Sequence, residues 1–336
     1  MQLNDNIYDF NLQLDDGKND WDSKKFKTLA LSDSYSRLGL TRKASSVKYC
    51  GTYLEFKRFR SGEFKLHSAN FCRVRLCPLC SWRRSLKIFS QVSRIMKEID
   101  KSYQFIFLTL TCQNCTADDL PSTLDDMFSA FNRFNQRKVF KDCFEGWFRA
   151  LEVTYNRKEN TYHPHFHVVL CCKKSYFKKH YISQDQFSLL WQSCMRSKYK
   201  PIVHVRKFTK RKGVAESCKY TVKDSDYLTK KGIAMDFVVR ALDQALAHRR
   251  LVAFGGLFKT IASDLLKLDD LENGDLVNVS GDDEINEDLE FVIEKYFWHV
   301  GFRSYYAIRE EFHDYDNSYF EKRVNPNRLK YLTQMG

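Results

Sequence analysis

Proline is scarce in this chain, 5 of 336 residues, and glycine numbers only 13. No Pro- or Gly-rich linker divides the sequence and no internal repeat is visible, so solenoid and low-complexity architectures are excluded. No apolar run approaches the roughly 18 residues of a membrane-spanning helix. The opening MQLNDNIYDF has neither a basic n-region nor an apolar h-region, and a cytoplasmic protein without membrane attachment is expected. No P-loop and no G-x-G-x-x-G is present, which removes the common nucleotide-binding frameworks.

What the chain holds is aromatic and basic. Hydrophobic residues make up 43% and aromatics 15%, enough for a substantial core. The formal charge of +13 is unevenly spread. Residues 264–294 carry twelve acidic side chains and one lysine, and residues 1–22 a net −5, so the middle of the chain is strongly basic. Such a balance suits a polyphosphate partner. The acidic stretch is expected to face solvent.

The eleven cysteines are expected to be reduced thiols. Cys72, Cys77 and Cys80 read C-x4-C-x2-C, and Cys50 stands 22 residues earlier. Four thiolates can hold a structural Zn²⁺, with His67 as a substitute ligand. Arg83, Arg84 and Lys87 follow at the start of a basic helix suited to DNA phosphates.

Hydrophobic spacing predicts a helix over 82–103, a strand over 104–113, a helix over 123–142, strands over 147–156 and 163–172, a helix over 183–197 capped by Ser183, and a strand over 201–208. A basic helix is expected at 214–231 and a further helix at 234–250. The order of elements implies an α+β fold: a mainly antiparallel sheet with flanking helices. Four regions are expected: a loose polar arm (1–45), a Cys-rich module with its basic helix (46–103), the α+β core (104–232), and a mostly helical C-terminal region with the acidic stretch (233–336).

The chemistry concentrates in two places. The first is His163-Pro164-His165-Phe166-His167. Alternate residues of a strand share a face, so His165 and His167 point together and can bind a divalent cation. A hairpin across the RKENTY turn places Glu152 opposite His167 and Thr154 opposite His165, and makes Glu152 a third ligand that favours Mg²⁺ or Mn²⁺. The second is Glu216-Ser-Cys-Lys219-Tyr220-Thr-Val-Lys223. If 214–231 is one helix, Glu216, Tyr220, Lys223 and Tyr227 share a face. A phenol beside a cation and a metal-polarised phosphate is a competent nucleophile. Arg206, Lys207 and Lys219 lie among aromatics in a pattern suited to single-stranded DNA.

FLTLT (107–111), HPHFHVVL (163–170), the Glu216–Lys223 segment and FCRVRLCPLCSWRRS (71–85) together resemble the HUH-endonuclease rolling-circle replication initiators of small Gram-positive plasmids, the type with one catalytic tyrosine and a glutamate one turn earlier. The resemblance covers roughly residues 47–230. It implies that His165 and His167 bind metal while His163 is structural or faces DNA. It further implies that Tyr220 attacks the origin phosphodiester, that Glu216 activates water at termination, and that Lys223 stabilises phosphate charge. Tyr227 is the competing nucleophile. The implied partners are double- and single-stranded origin DNA, with a host helicase and a second copy of the chain as further candidates. Two readings stand beside it: a relaxase or single-tyrosine transposase, and a non-enzymatic zinc-dependent DNA-binding regulator.

Overall fold

The computed structural model describes residues 8–15, 20–59, 62–207, 221–266, 274–279 and 291–308. In chain order the elements are β1 (Tyr8–Gln13), α1 (Trp21–Arg37), α2 (Thr41–Tyr49), β2 (Tyr53–Phe59), β3 (Phe64–Ala69), α3 (Pro78–Glu98), β4 (Tyr103–Thr111), α4 (Leu120–Gln136), α5 (Lys138–Cys143), β5 (Phe144–Asn156) and β6 (Thr161–Lys173). They continue with α6 (Tyr176–Lys179), α7 (Gln184–Met195), β7 (Val203–Lys207), α8 (Asp224–Tyr227), α9 (Asp236–Leu246), β8 (Val252–Gly256), α10 (Leu257–Leu266), β9 (Phe291–His299) and β10 (Ser304–Ile308). None of these helices is long and apolar enough to cross a membrane.

The strands form two five-stranded sheets, ordered β7-β4-β6-β5-β8 and β1-β10-β9-β2-β3, with every pairing antiparallel. The expected α+β class with helices flanking antiparallel strands is what forms. In the first sheet the face bearing Phe166 is apolar because β-branched and aromatic residues recur at period two. Phe166 of β6 packs there against Phe128 and Phe131 of α4 and Trp191 of α7. Trp191 also donates Nε1–H to the Thr111 carbonyl at 2.8 Å, fixing the helix layer to the end of β4. α7 starts where the sequence puts it: Ser183 Oγ accepts from Gln186 N, and Gln186 Oε1 accepts from Ser183 N. A closed β5–β8 corner needs glycine. Gly256 has φ +54°, and a Cβ there would lie 2.2 Å from the Glu145 carbonyl oxygen.

Four expectations are corrected. The loose N-terminal arm holds α1 and the start of α2. Its polar sequence hid the helix because the buried residues include Lys25, Thr28, Ser32 and Ser34, each hydrogen-bonded. The C-terminal region contributes strands β8, β9 and β10 besides α9 and α10, and β9 lies between β2 and β10. The acidic stretch does not simply face solvent: Leu276 and Val279 are buried, and Glu294 is buried against Arg58, Oε1 to Nε 2.6 Å. The expected helix over 214–231 is interrupted: 221–223 are not helical, Lys223 is extended (φ −77°, ψ 145°), and among the described residues of this span only Asp224–Tyr227 makes a turn of helix.

Candidate active site and thiol cluster

The β5–β6 hairpin builds the first site. Its loop is shorter than expected. Asn156 pairs with Thr161, leaving four residues at the tip, and Asn160 takes φ 52°. Asn156 Oδ1 accepts from Lys158 N and Glu159 N, an Asx turn that closes the loop early. Tyr162 is buried in the strand instead of lying in the turn. The register is therefore displaced: Glu152 pairs with His165, Ala150 with His167, and Thr154 with His163. The shift is two residues, so the parity of the faces is kept and the three side chains still converge.

Glu152 is 4% exposed. Its Oε2 lies 2.7 Å from His167 Nε2 and 3.4 Å from His165 Nε2, and its Oε1 lies 2.7 Å from Lys223 Nζ. Burial pushes the carboxyl pKa up, but hydrogen bonds from His165, His167 and Lys223 outweigh it and hold the group far below the usual carboxylate range. One ligand atom from each of Glu152, His165 and His167 lies within 4.8 Å of the others. His167 Nδ1 is buried without a hydrogen-bond partner among the described residues. Two imidazoles and an ionised carboxylate on one rigid hairpin fit a divalent cation, with Lys223 as the charge that shares the carboxylate.

The surroundings extend over β4 and β7. The His167 and Phe107 ring centroids lie 5.4 Å apart, and the Arg206 guanidinium sits 4.5 Å from the Phe107 ring centroid. Arg206 and Lys207 are exposed, as is His204, which pairs with Thr109. His163 Nδ1 is 2.9 Å from Asn114 Oδ1, at the open end of the site. Burial, then the neighbouring His165, lowers the His163 pKa.

The four cysteines converge as their spacing proposed. Cys50 ends α2, Cys72 follows β3, Cys77 caps α3, and Cys80 lies in its first turn. The Sγ–Sγ distances are 3.5 Å (Cys50–Cys80), 3.6 Å (Cys50–Cys77) and 3.7 Å (Cys72–Cys80). A tetrahedral ion with metal–sulfur bonds of about 2.3 Å requires sulfurs about 3.8 Å apart, so the cage fits Zn²⁺. Cys72 N donates to Cys50 Sγ, and Arg73 N, brought round by φ 60°, donates to Cys80 Sγ. Burial opposes ionisation of Cys77, but hydrogen bonds from the other thiols outweigh it and its pKa falls well below normal. Buried Lys25 donates to the carbonyls of Lys48 and Cys50 beside the cluster. His67 is exposed on β3 and is not part of the cage.

The structure thus brings Glu152, His165, His167 and Lys223 together, and Cys50, Cys72, Cys77 and Cys80 together. Glu216, Lys219 and Tyr220 lie outside the described residues. The common helical face for Lys223 and Tyr227 is not formed. Tyr227 is fully buried, donates its hydroxyl to the Leu76 carbonyl at 2.8 Å, and has a pKa raised well above normal by burial. It is no competing nucleophile. Arg83 and Lys87, expected to face DNA phosphates, are also buried. Arg83 donates to the carbonyls of Leu276 and Val277, fastening segment 274–279 to α3. Arg84 is half-buried over the cysteine loop, donating to the carbonyls of Arg73, Val74 and Arg75. Sequence reasoning missed Asp226, which accepts from Tyr155 N and Lys223 N. Its signal was an acidic residue three positions after Lys223, where a helix start would need it.

The family model described as "Replication protein" matches residues 63–306. The protein named "Protein rep" of Bacillus amyloliquefaciens is 38% identical over 319 residues, covering 86% of this chain and 94% of its own. Those of Lactiplantibacillus plantarum and Streptococcus pneumoniae are 38% identical over 286 residues and 34% over 300, covering 80% and 85% of this chain and 89% and 91% of theirs. No solved structure matches. With a two-histidine–carboxylate hairpin, a four-thiol cage and relatives alike over nearly their whole length, the chain belongs to the replication protein family and is a plasmid replication initiator.

Proposed function

We propose that the chain nicks its replicon's double-strand origin by tyrosine strand transfer and so starts rolling-circle replication. The observation that carries this reading is the convergence of Glu152, His165, His167 and Lys223 on one sheet face, in a chain of this family. Mg²⁺ or Mn²⁺ held by Glu152, His165 and His167 would polarise the scissile phosphate. Tyr220 is the nucleophile: its phenolic oxygen bonds to phosphorus and loses its proton, while the bond to the 3′ oxygen breaks. The products are a 5′-phosphotyrosine and a 3′-OH primer. Glu216 removes a proton from water at termination, releasing the protein. Lys223 supplies positive charge beside the reacting phosphate. Thr221, covalently next to Tyr220, accepts a hydrogen bond from Val153 N at 2.7 Å, one residue from Glu152, which supports this assignment.

Zn²⁺ in the four-thiol cage is a structural ion in this reading, since four thiolates leave no open position. Arg206, Lys207 and Lys219 contribute DNA contacts, single-stranded DNA at the site and duplex around it. Cytoplasmic action on plasmid DNA, recruitment of a host helicase and self-association belong to the same proposal.

The test is nicking of supercoiled DNA carrying the replicon's own origin. His165→Ala is expected to slow nicking at least about 100-fold, since a metal contributes several kcal/mol at such a phosphate. Duplex binding, read by gel shift, should survive. Full-rate nicking by His165→Ala would remove the metal assignment. Retained origin binding with no nicking by the wild type would favour a DNA-binding regulator.

A further inference from the structure

The segment from Thr221 to Leu228 carries Lys223 and is fastened at several points. It runs along the part of β5 beyond β8: Val153 N donates to Thr221 O and Tyr155 N to Asp226 Oδ1. Asp226 Oδ2 accepts from Lys223 N at 3.1 Å. Arg157 Nη2 donates to the carbonyls of Ser225 and Leu228, and Lys27 pairs with Asp224 at 2.8 Å. Apart from the Lys223–Asp226 bond within the segment, these contacts come from the hairpin and from α1.

Beyond these, Met235 N donates to the Tyr227 carbonyl at 2.8 Å, and one side-chain contact reaches the cysteine module. The Tyr227 hydroxyl donates to the Leu76 carbonyl. Leu76 immediately precedes Cys77 in the loop between Cys72 and Cys77. That loop is itself held: Cys77 N donates to Val74 O, Arg73 N to Cys80 Sγ, and Arg84 to three of its carbonyls. A phenylalanine at 227 would fill the same buried space, so the hydroxyl serves orientation more than packing. The path from the thiol cage to Glu152 is short and continuous: Cys77, Leu76, Tyr227, Asp226, Lys223, Glu152.

We propose that Tyr227 is a positioning residue, tying the four-cysteine module to the segment that holds Lys223 against Glu152, so that the thiol cage sets where Lys223 stands. This rests on the strand-transfer reading above. The module then has a task in the reaction without touching DNA or the phosphate.

The experiment is single-turnover cleavage of a single-stranded oligonucleotide bearing the nick site, by the full chain in Mn²⁺, with Tyr227→Phe beside wild type. The thiol cage is read separately by the visible absorption of its cobalt(II)-thiolate form. Tyr227→Phe should lower the maximal rate at least about 10-fold and leave the half-saturating oligonucleotide concentration within about twofold. The cobalt band should be unchanged. Combined with Lys223→Ala, it should be no slower than Lys223→Ala alone, because both act through one group. A wild-type rate for Tyr227→Phe, or effects that multiply in the double variant, would overturn the proposal. Arg84→Met gives an independent check should Tyr227→Phe fold poorly. Loosening the cage loop should likewise lower the maximal rate, whereas a raised half-saturation at full rate would mark Arg84 as a DNA contact and count against the proposal. Absence of any cleavage by the wild type would overturn the strand-transfer reading itself, a result distinct from a variant that matches an active wild type.

Discussion

At the residue scale, the decisive group is Glu152. Two imidazoles and one ammonium converge on its two oxygens, and only an ionised carboxylate accepts from all three. Lys223 and a divalent cation therefore compete for the same negative charge. Lys223→Met is expected to act in opposite directions on two measurements. The Mn²⁺ concentration for half-maximal binding, followed by calorimetry, should fall several-fold, since the carboxylate is left to the ion. The cleavage rate should fall at least about 10-fold, since the phosphate loses a counter-charge. Weaker Mn²⁺ binding in Lys223→Met would mean that the lysine supports the ion instead of sharing its ligand. The chemistry of these residues was legible in the sequence because a strand alternates faces and H-x-H fixes two ligands on one of them. The burial of Arg83, Lys87 and Tyr227 was not legible. A basic or phenolic side chain on an amphipathic helix reads as exposed until a partner from a distant segment, here the carbonyls of Leu276 and Val277 for Arg83 and of Leu76 for Tyr227, accepts its hydrogen bonds.

At the scale of elements, the site is a property of the β5–β6 hairpin. Register is set by the apolar pattern of both strands together with the turn. The sequence identified both strands and the face, and missed the register by two residues because Thr161 and Tyr162 read as turn. Tyr162 instead packs against Tyr155, with ring centroids 5.1 Å apart, and pairs with Cys115. The four-residue loop depends on Asn160 in the left-handed region. Asn160→Val should cost about 1–2 kcal/mol in urea unfolding, and Asn160→Gly should be close to neutral. Equal stabilities for the two variants would show that the loop relaxes without the left-handed residue. The helix expected over 214–231 failed for a reason that spacing does not carry. Thr221 and Asp226 bond to the β5 edge beyond β8, and this tertiary pairing outweighs local helical preference at 221–223.

At the scale of the whole molecule, two antiparallel sheets are built from interleaved parts of the chain, and the thiol cage lies where α2, β3 and α3 meet. The central sheet was legible because its strands and helices follow one another with clear periodicity. The second sheet was not, because its strands β2 and β9 are separated by more than 200 residues and the polar N-terminal helix gives little periodic signal. Its buried pair Arg58–Glu294 joins the cysteine-bearing region to the far end of the chain. The proposed reaction is origin cleavage with a covalent intermediate on Tyr220, and family membership and the clustering of Glu152, His165 and His167 support it. The most direct measurement is a denaturing gel of the protein with end-labelled origin DNA and Mn²⁺, with peptide mapping of the protein-linked band. The expected result is a DNA-linked species whose modified peptide contains Tyr220 and which is absent from Tyr220→Phe. A linked species that persists in Tyr220→Phe, or nicked DNA with no linked protein in the wild type, would contradict tyrosine strand transfer at this residue.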